Sequence, residues 1–336
     1  MAGVTKLKKV QLGLETEKGT EVNATALWLG NATLDDNREA VFPKENIGYL
    51  GDVDRSYIPV ADGEVAFAEN EANFEQIGYQ FAAGVQDTVS GAANGGTSNA
   101  YKYVYTLATT AAPTTKTYTI EGGDNQQEYQ ATYGFCEEIT LKGAPKEAVK
   151  ISSKWRARSV AKGTFTASLA VPTVEQILFQ KGKIYLDAVG GTLGGTQLTN
   201  TWLGFDMKID TGLVPVYTGD GNIYYSFEKC IGPTVTGSIT FEHDAVGVAR
   251  YDDFVAGTTK KVRMLFLGSS TGYTGSGGTF TTRALQIDFS MKIISVKLLD
   301  SVNGNDTVKI NYRAVANSTA GLYFVVTVCN LLSALT

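Results

Sequence analysis

The feature that most restricts the fold of this chain is a pattern written twice, in the same order. Leu285 to Val296 reads LQIDFSMKIISV, alternating apolar Leu285, Ile287, Phe289, Met291 and Ile293 with polar Gln286, Asp288, Ser290 and Lys292. That is the period of a strand with one wet face. Tyr129 to Leu141, YQATYGFCEEITL, keeps the same period through Tyr129, Ala131, Tyr133, Phe135, Ile139 and Leu141. Each run meets a polar turn, Gly143 to Glu147 in the first copy and Asp300 to Asp306 in the second. Each returns through a similar strand, VKISSKW from Val149 and VKINYRA from Val308, which aligns Val149 with Val308.

The repetition extends upstream. In Glu64 to Gly84 a strand precedes Phe74, Ile77, Gly78 and Phe81 at helical spacing; in Ser238 to Gly257 the same spacing falls on Val248, Tyr251 and Val255. Both helices close on Ala-Gly, a C-terminal stop. Each copy therefore reads strand, helix, antiparallel hairpin. This predicts two related units, residues 1–172 and 173–336, with the junction between Gly163 and Lys183. A chain of 336 residues is long enough for two cores.

The residue types point to β structure. With 37 Gly, 17 Tyr and 15 Phe against 19% charged residues, short strands and Gly-rich turns are favoured over helical bundles. Gly122-Gly123-Asp124-Asn125, Gly219-Asp220-Gly221-Asn222 and Asn303-Gly304 punctuate hairpins. The apolar stretch Gly321 to Leu335 is shorter than the roughly 20 residues of a membrane span, and reads as a terminal buried strand.

No pattern points to catalysis or to a cofactor. Acidic residues outnumber basic ones, 34 to 29, which argues against a surface built to hold nucleic-acid phosphate. Cys136, Cys230 and Cys329 lie far apart without metal-ligand or disulfide spacing, and read as small buried hydrophobes. No signal-peptide pattern follows Lys6, Lys8 and Lys9. The lone His243 sits at the start of the second helix between Glu242 and Asp244, the place of a surface or capping residue. Gly190 to Gly195 lacks the Lys-Ser/Thr pair of a phosphate loop and reads as a flexible connector. Asp220-Gly221-Asn222 lacks the distant Glu of a calcium loop and reads as a turn. Glu137 and Glu138 are neighbours on a strand and point to opposite sides.

What remains is β edges, long loops and an N-terminal segment. Thr25 to Asn37, with Trp28 and Leu29, and the following residues to Pro59 read as an extended arm. Tyr101 to Leu107, between the loops Val85 to Ala100 and Ala108 to Thr115, reads as a projecting hairpin. Such elements bind neighbours by adding strands or wedging aromatics, making Trp28, Leu29, Tyr101, Tyr103 and Tyr105 candidate subunit-interface residues.

ALWLGNATLDDN at Ala26 to Asn37, TYTIEGGDNQQEY at Thr117 to Tyr129, FTASLAVPTVEQI at Phe165 to Ile177 and TGDGN at Thr218 to Asn222 resemble the tail tube protein of long-tailed, non-contractile bacteriophages. The likeness spans most of the chain, although turn and strand motifs are less diagnostic than a metal or nucleotide signature. It implies two tandem tail-tube domains, each a β-sandwich or barrel with one flanking helix, behind an extended N-terminal arm. It further implies a structural virion protein, assembled in the host cytoplasm, whose stacked rings conduct DNA. Since relatives with one tube domain form six-subunit rings, two domains per chain imply three subunits per ring. The implied partners are other copies of the chain, the tape measure, tail terminator and tail tip proteins, and DNA in passage, with no membrane anchor, metal or cofactor. Two other readings stay open: a β-sandwich carbohydrate-binding or adhesion module, with tyrosines lining a sugar groove, and a hydrolase with paired carboxylates.

Overall fold

Alternating apolar residues build a mainly β structure, shown by a computed structural model that describes residues 3–51, 54–95, 99–273, 279–302 and 304–336. The first half contains β1 (Lys9–Leu14), β2 (Ala26–Trp28), β3 (Ala32–Asp36), β4 (Gly63–Glu71), helix α1 (Ile77–Gly84), β5 (Ala92–Ala93) and β6 (Tyr101–Leu107). It continues with β7 (Tyr118–Gly123), β8 (Glu128–Gly143), β9 (Lys150–Ala157) and β10 (Ser159–Gly163). The second half contains β11 (Gly182–Ala188), β12 (Gln197–Leu198), β13 (Trp202–Asp210), β14 (Leu213–Val216), β15 (Phe227–Cys230) and β16 (Thr234–Glu242). Helix α2 (Ala245–Val255), β17 (Thr259–Ser270), β18 (Thr282–Val302), β19 (Asn305–Ala314) and β20 (Phe324–Asn330) complete it. A single-turn 3-10 helix precedes both β1 and β11, at Thr5–Leu7 and Phe179–Lys181.

The antiparallel pairings of the first half recur in the second. The pairs β1–β2, β1–β7, β7–β8 and β8–β9 have counterparts in β11–β12, β11–β17, β17–β18 and β18–β19. Likewise β4–β9, β3–β4 and β8–β10 match β16–β19, β13–β16 and β18–β20. The match reaches individual residues. Leu34, Val65, Trp155 and Cys136 lie in one row across four strands, and Met207, Gly237, Tyr312 and Ile293 form the corresponding row. Immediately after each row the long strand carries an unpaired extra residue, Glu137 in β8 and Ile294 in β18, a β-bulge that bends the strand. Counted from Trp155 and Tyr312, Ile151 and not Val149 stands at the position of Val308.

Strand β8 ties the layers together, its N-terminal half pairing with β7 and β10 and its C-terminal half with β9 and β13. Aromatic side chains fill the first-half core. Trp28 meets Phe67 edge-on at 5.3 Å, Phe67 meets Trp155 at 5.3 Å, and Trp155 meets Tyr118 at 5.8 Å. Helix α1 lies over this core with all its residues buried, and Gln80 Oε1 accepts hydrogen bonds from Trp155 Nε1 (2.8 Å) and Ser153 Oγ (2.6 Å). The expected Gly stop differs between the helices. Gly257 ends α2 with φ of 60°, the left-handed C-cap that glycine favours. Gly84 is instead the last helical residue of α1, and its lack of a side chain admits Thr211 and Cys136, which a Cβ would meet at 2.8 and 3.1 Å.

Helix α2 buries only Gly247. Its N-cap is Asp244, whose carboxylate accepts from Gly247 N at 2.7 Å, and His243 is an exposed neighbour. The apolar C-terminal stretch forms the buried strand β20. Among the described residues no helix is long and apolar enough to cross a membrane. Cys136 and Cys329 are buried free thiols and Cys230 is half-buried; burial raises the Cys136 thiol well above its ordinary range and pushes that of Cys329 up to about 11. Gly304 adopts the left-handed turn conformation, while Asn303 of the expected Asn303-Gly304 turn lies outside the described residues.

Trp28 packs inside its own chain rather than in an uncommitted arm. Trp28→Ala should therefore lower the unfolding free energy of the unassembled protein by about 3–5 kcal/mol, read by chemical denaturation. A change below about 1 kcal/mol, the scale of an ordinary surface substitution, would contradict this placement.

Candidate assembly surfaces

The two halves meet edge to edge. β13 runs antiparallel to the C-terminal half of β8, with Ile209 opposite Ile139, Lys208 opposite Thr140, Met207 opposite Leu141 and Asp206 opposite Lys142. The apolar members Ile139, Leu141, Met207 and Ile209 are fully buried, and at the margin Lys208 Nζ pairs with Glu138 at 2.5 Å. Gly143 closes the junction beneath an aromatic cluster of Phe179, Trp202, Phe205 and Phe266, where an added Cβ would lie 2.6 Å from the Phe179 ring.

A clasp reinforces this edge. The β14–β15 hairpin leaves the end of β13 and lays Tyr225 against Tyr133 and Phe135 of β8. Tyr225 Oη donates to Tyr133 O at 2.6 Å, and Arg158 donates to Tyr225 O (3.0 Å) and Ser226 O (2.6 Å). Tyr133 takes φ of 55°, a left-handed conformation that costs a bulky residue energy. It is held there by Glu15, which accepts from its amide at 2.7 Å, and by the Arg158 guanidinium 4.1 Å over its ring. Burial, then the hydrogen bond to Glu228, raises the Tyr133 phenol, and burial raises that of Tyr225. Arg283 of β18 bridges Glu75 (2.6 Å) and Glu175 (3.3 Å). Desolvation pushes Glu175 up, but Ser269 and Arg283 outweigh it and hold the carboxyl below its ordinary value.

Other edges are open. Among the described residues β3 pairs only with β4, and β18 beyond Ile293 pairs only with β19. The open part of β18 exposes Ile294, Leu298, Leu299 and Val302. The described part of segment 37–60 (37–51 and 54–60) leaves the sheet as a loop whose base is closed by reciprocal backbone bonds between Val41 and Tyr57. It exposes Phe42, Ile47, Tyr49 and Leu50. Helix α2 exposes Val248, Tyr251, Phe254 and Val255.

This arrangement relocates the expected interface residues. Trp28, Tyr103 and Tyr105 are buried in the chain's own core, and Leu29 and Tyr101 are half-buried. The reason is strand addition within the molecule. β2 pairs with β1, and β6 pairs with β20 from Tyr101–Asn330 to Leu107–Phe324, so the expected projecting hairpin instead stitches the first half to the second. Residues 96–98 of the loop before it lie outside the described residues. The arm reading is likewise corrected for residues 26–36, which carry β2 and β3, while the exposed loop begins at Asn37. Within that segment the exposed aromatics are Phe42, Tyr49 and Tyr57, and Trp28 is buried.

The acidic and glycine-rich motifs are occupied by their own chain. Asp187 accepts from the amides of Gly194 (2.7 Å) and Thr196 (2.8 Å), so the 190–195 loop is held and its amides face a carboxylate, which repels phosphate. Buried Glu15 also accepts from Thr117 Oγ1 (2.6 Å) and Gly19 N (2.7 Å), and Glu121 from Thr166 N (2.7 Å). Glu137 pairs with Arg156 at 3.0 Å and Glu138 with Lys208, on separate partners. Asp220 caps its own turn by accepting from Asn222 N and Ser226 Oγ, and the Ser226 hydroxyl lowers its carboxyl. Among the described residues no three His, Cys, Asp or Glu side chains are grouped to hold a metal. Tyr103, Tyr105, Tyr118, Tyr225 and Tyr312 are fully buried and line no groove.

Compared with protein-family models the chain matches none, and no curated protein matches it. Geometry therefore carries the functional argument. Gly143→Ala should destabilise the junction by about 1–3 kcal/mol through overpacking against Phe179 and Phe205, measured by thermal or chemical unfolding. An unchanged midpoint would show that the cluster yields freely.

Proposed function

We propose that this chain is a structural subunit of rings that stack into the tail tube of a long-tailed, non-contractile bacteriophage, through which DNA passes. The observation that carries this reading is the edge-to-edge union of two matching strand sets by β8 and β13. One chain thus supplies two consecutive segments of a sheet whose terminal edges stay open. Heterologous contacts of this kind close into rings when the rotation allows. The matching pairings support two tandem tail-tube domains, the first ending near residue 172, and the motifs at Ala26–Asn37 and Thr117–Tyr129 supply the family resemblance.

Three copies then provide six similar segments around a channel. The ring faces contact further rings, and the tube ends contact tape measure, terminator and tip proteins in the virion tail. A conduit must let a polyanion slide, and a chain of net charge −5 suits that better than a basic one, because Lys and Arg rings bind phosphate through counterion release.

Negative-stain and cryo-electron microscopy of the purified protein test the reading. Tubes with end-on views of three repeats, six similar lobes and an acidic or neutral channel wall are expected. Rings of six complete chains, or a strongly basic channel, would contradict it.

A further inference from the structure

We infer that the open edge of β18 and the open edge of β3 are the two sides of one interface between copies of this chain, joined in the register that β8 and β13 use within it. The inference deepens the ring-subunit reading and rests on it for closure at three copies; the strand pairing itself is argued from the internal match. The partner is a second copy of the same chain, bound head to tail.

The register follows from the corresponding rows. Leu34 of β3 occupies the place of Met207 in β13, since Val65–Trp155–Cys136 corresponds to Gly237–Tyr312–Ile293. Counted from the bulges at Glu137 and Ile294, Ile139 and Thr140 correspond to Val296 and Lys297, and Leu141 to Leu298, where β18 enters a second irregularity between Lys297 and Asp300 that β8 lacks. In the internal junction Met207 faces Leu141, Lys208 faces Thr140 and Ile209 faces Ile139. Between copies, Leu34 therefore faces Leu298, Asp35 faces Lys297 and Asp36 faces Val296.

Burial at Leu34 and charge at Asp35 fit this pairing, while Asp36, which takes the place of buried Ile209, has its carboxylate drawn back to Arg38. Leu141 is 0% exposed beneath β13, whereas its counterpart Leu298 is 40% exposed. Leu141 has β9 on one side and β13 on the other, whereas β18 bulges again after Lys297 and, among the described residues, has only β19 beside it there. Asp35 gives β3 an acidic side chain, Asp36 being already paired with Arg38, while Lys297 stands directly opposite Lys309 within its own hairpin. Like charges in that position repel, and an incoming Asp35 relieves the pair. Lys297 already reaches Asp300 at 2.9 Å, so its ammonium lies at the strand margin where a carboxylate is accommodated. The loop after β3, closed by Val41 and Tyr57, also follows its strand as the β14–β15 hairpin follows β13. The β14–β15 hairpin clasps the neighbouring half through Tyr225, and the β3 loop holds Phe42 and Tyr49 exposed for the same use on the neighbouring copy.

Charge reversal tests the pairing on the full chain. Asp35→Lys and Lys297→Asp should each raise the concentration needed for assembly roughly tenfold, and the double variant should return it to within about threefold of the parent. Both side chains are exposed, and unchanged thermal melts will show that the variants fold. Separately, chains carrying Asp35→Cys mixed with chains carrying Lys297→Cys should form a disulfide-linked dimer on mild oxidation, since opposed strand residues lie within bridging distance. Either variant alone should not. If tubes form normally from both charge variants and the mixed cysteines do not link, the pairing is wrong while the ring-subunit reading survives. If the parent chain remains monomeric at every concentration and the cysteines do not link, both are wrong. Linked dimers without tubes would uphold the pairing and remove the tube.

Discussion

A β-strand edge in water is a row of hydrogen-bonding groups that invites another strand, and this molecule depends on how it treats such edges. Within the chain, β13 covers β8, β6 covers β20, and the hairpin β14–β15 locks the first of these unions through Tyr225, Tyr133 and Arg158. Those three contacts make two similar strand sets continuous. They also fix where the sheet that runs through β8 and β13 stops: at β3 on one side and at the far half of β18 on the other. Neither edge carries a proline, and each carries charge, Asp35 and Asp36 on one and Lys297 on the other. Charges at an edge discourage unspecific pairing while permitting a complementary partner.

The polar interior is consistent with a rigid building block. Glu15, Glu121 and Asp187 spend their carboxylates on the chain's own amides and hydroxyls, which fixes loop positions by charge-assisted hydrogen bonds. Buried Glu75 pairs with Arg283, which links α1's approach to β18 and so joins the two halves a further time. Removing Arg283 would take the ion-pair partner from the buried Glu75 carboxylate, whereas removing Glu75 would leave Arg283 its bonds to Glu175 and Ser269. Exposed apolar groups lie at the periphery, at Phe42, Ile47, Tyr49 and Leu50 and on α2.

The sequence made much of the fold legible because strand and helix periods are local properties. The alternation in Leu285 to Val296 located β18, the 3.6-residue spacing of Phe74, Ile77 and Phe81 located α1, and the C-terminal apolar run located β20. Registers were harder. A two-residue slip keeps every side chain on its face, so aligning Val149 with Val308 satisfied the pattern while the fold places Ile151 there. Partners of isolated strands were harder still. Trp28 and Tyr103 lie in short segments whose neighbours, β1 and β20, are distant in sequence or follow long loops, and nothing local distinguishes a strand that joins its own sheet from one that joins a neighbour's. The open stretch of β18 was unmarked for the opposite reason: Ile294, Leu298 and Leu299 look like core residues until this stretch is found, among the described residues, to pair only with β19.

Hydrogen–deuterium exchange, compared between unassembled and assembled protein, measures strand-edge coverage directly, because an amide paired in a sheet exchanges only when that pairing opens. If copies join as the two halves do, amides in 32–36 and 294–299 gain protection on assembly, while those in 138–143 and 205–210 are protected in both states. Assembly that leaves 32–36 and 294–299 exchanging as fast as before would show that the copies meet elsewhere, and would contradict the account.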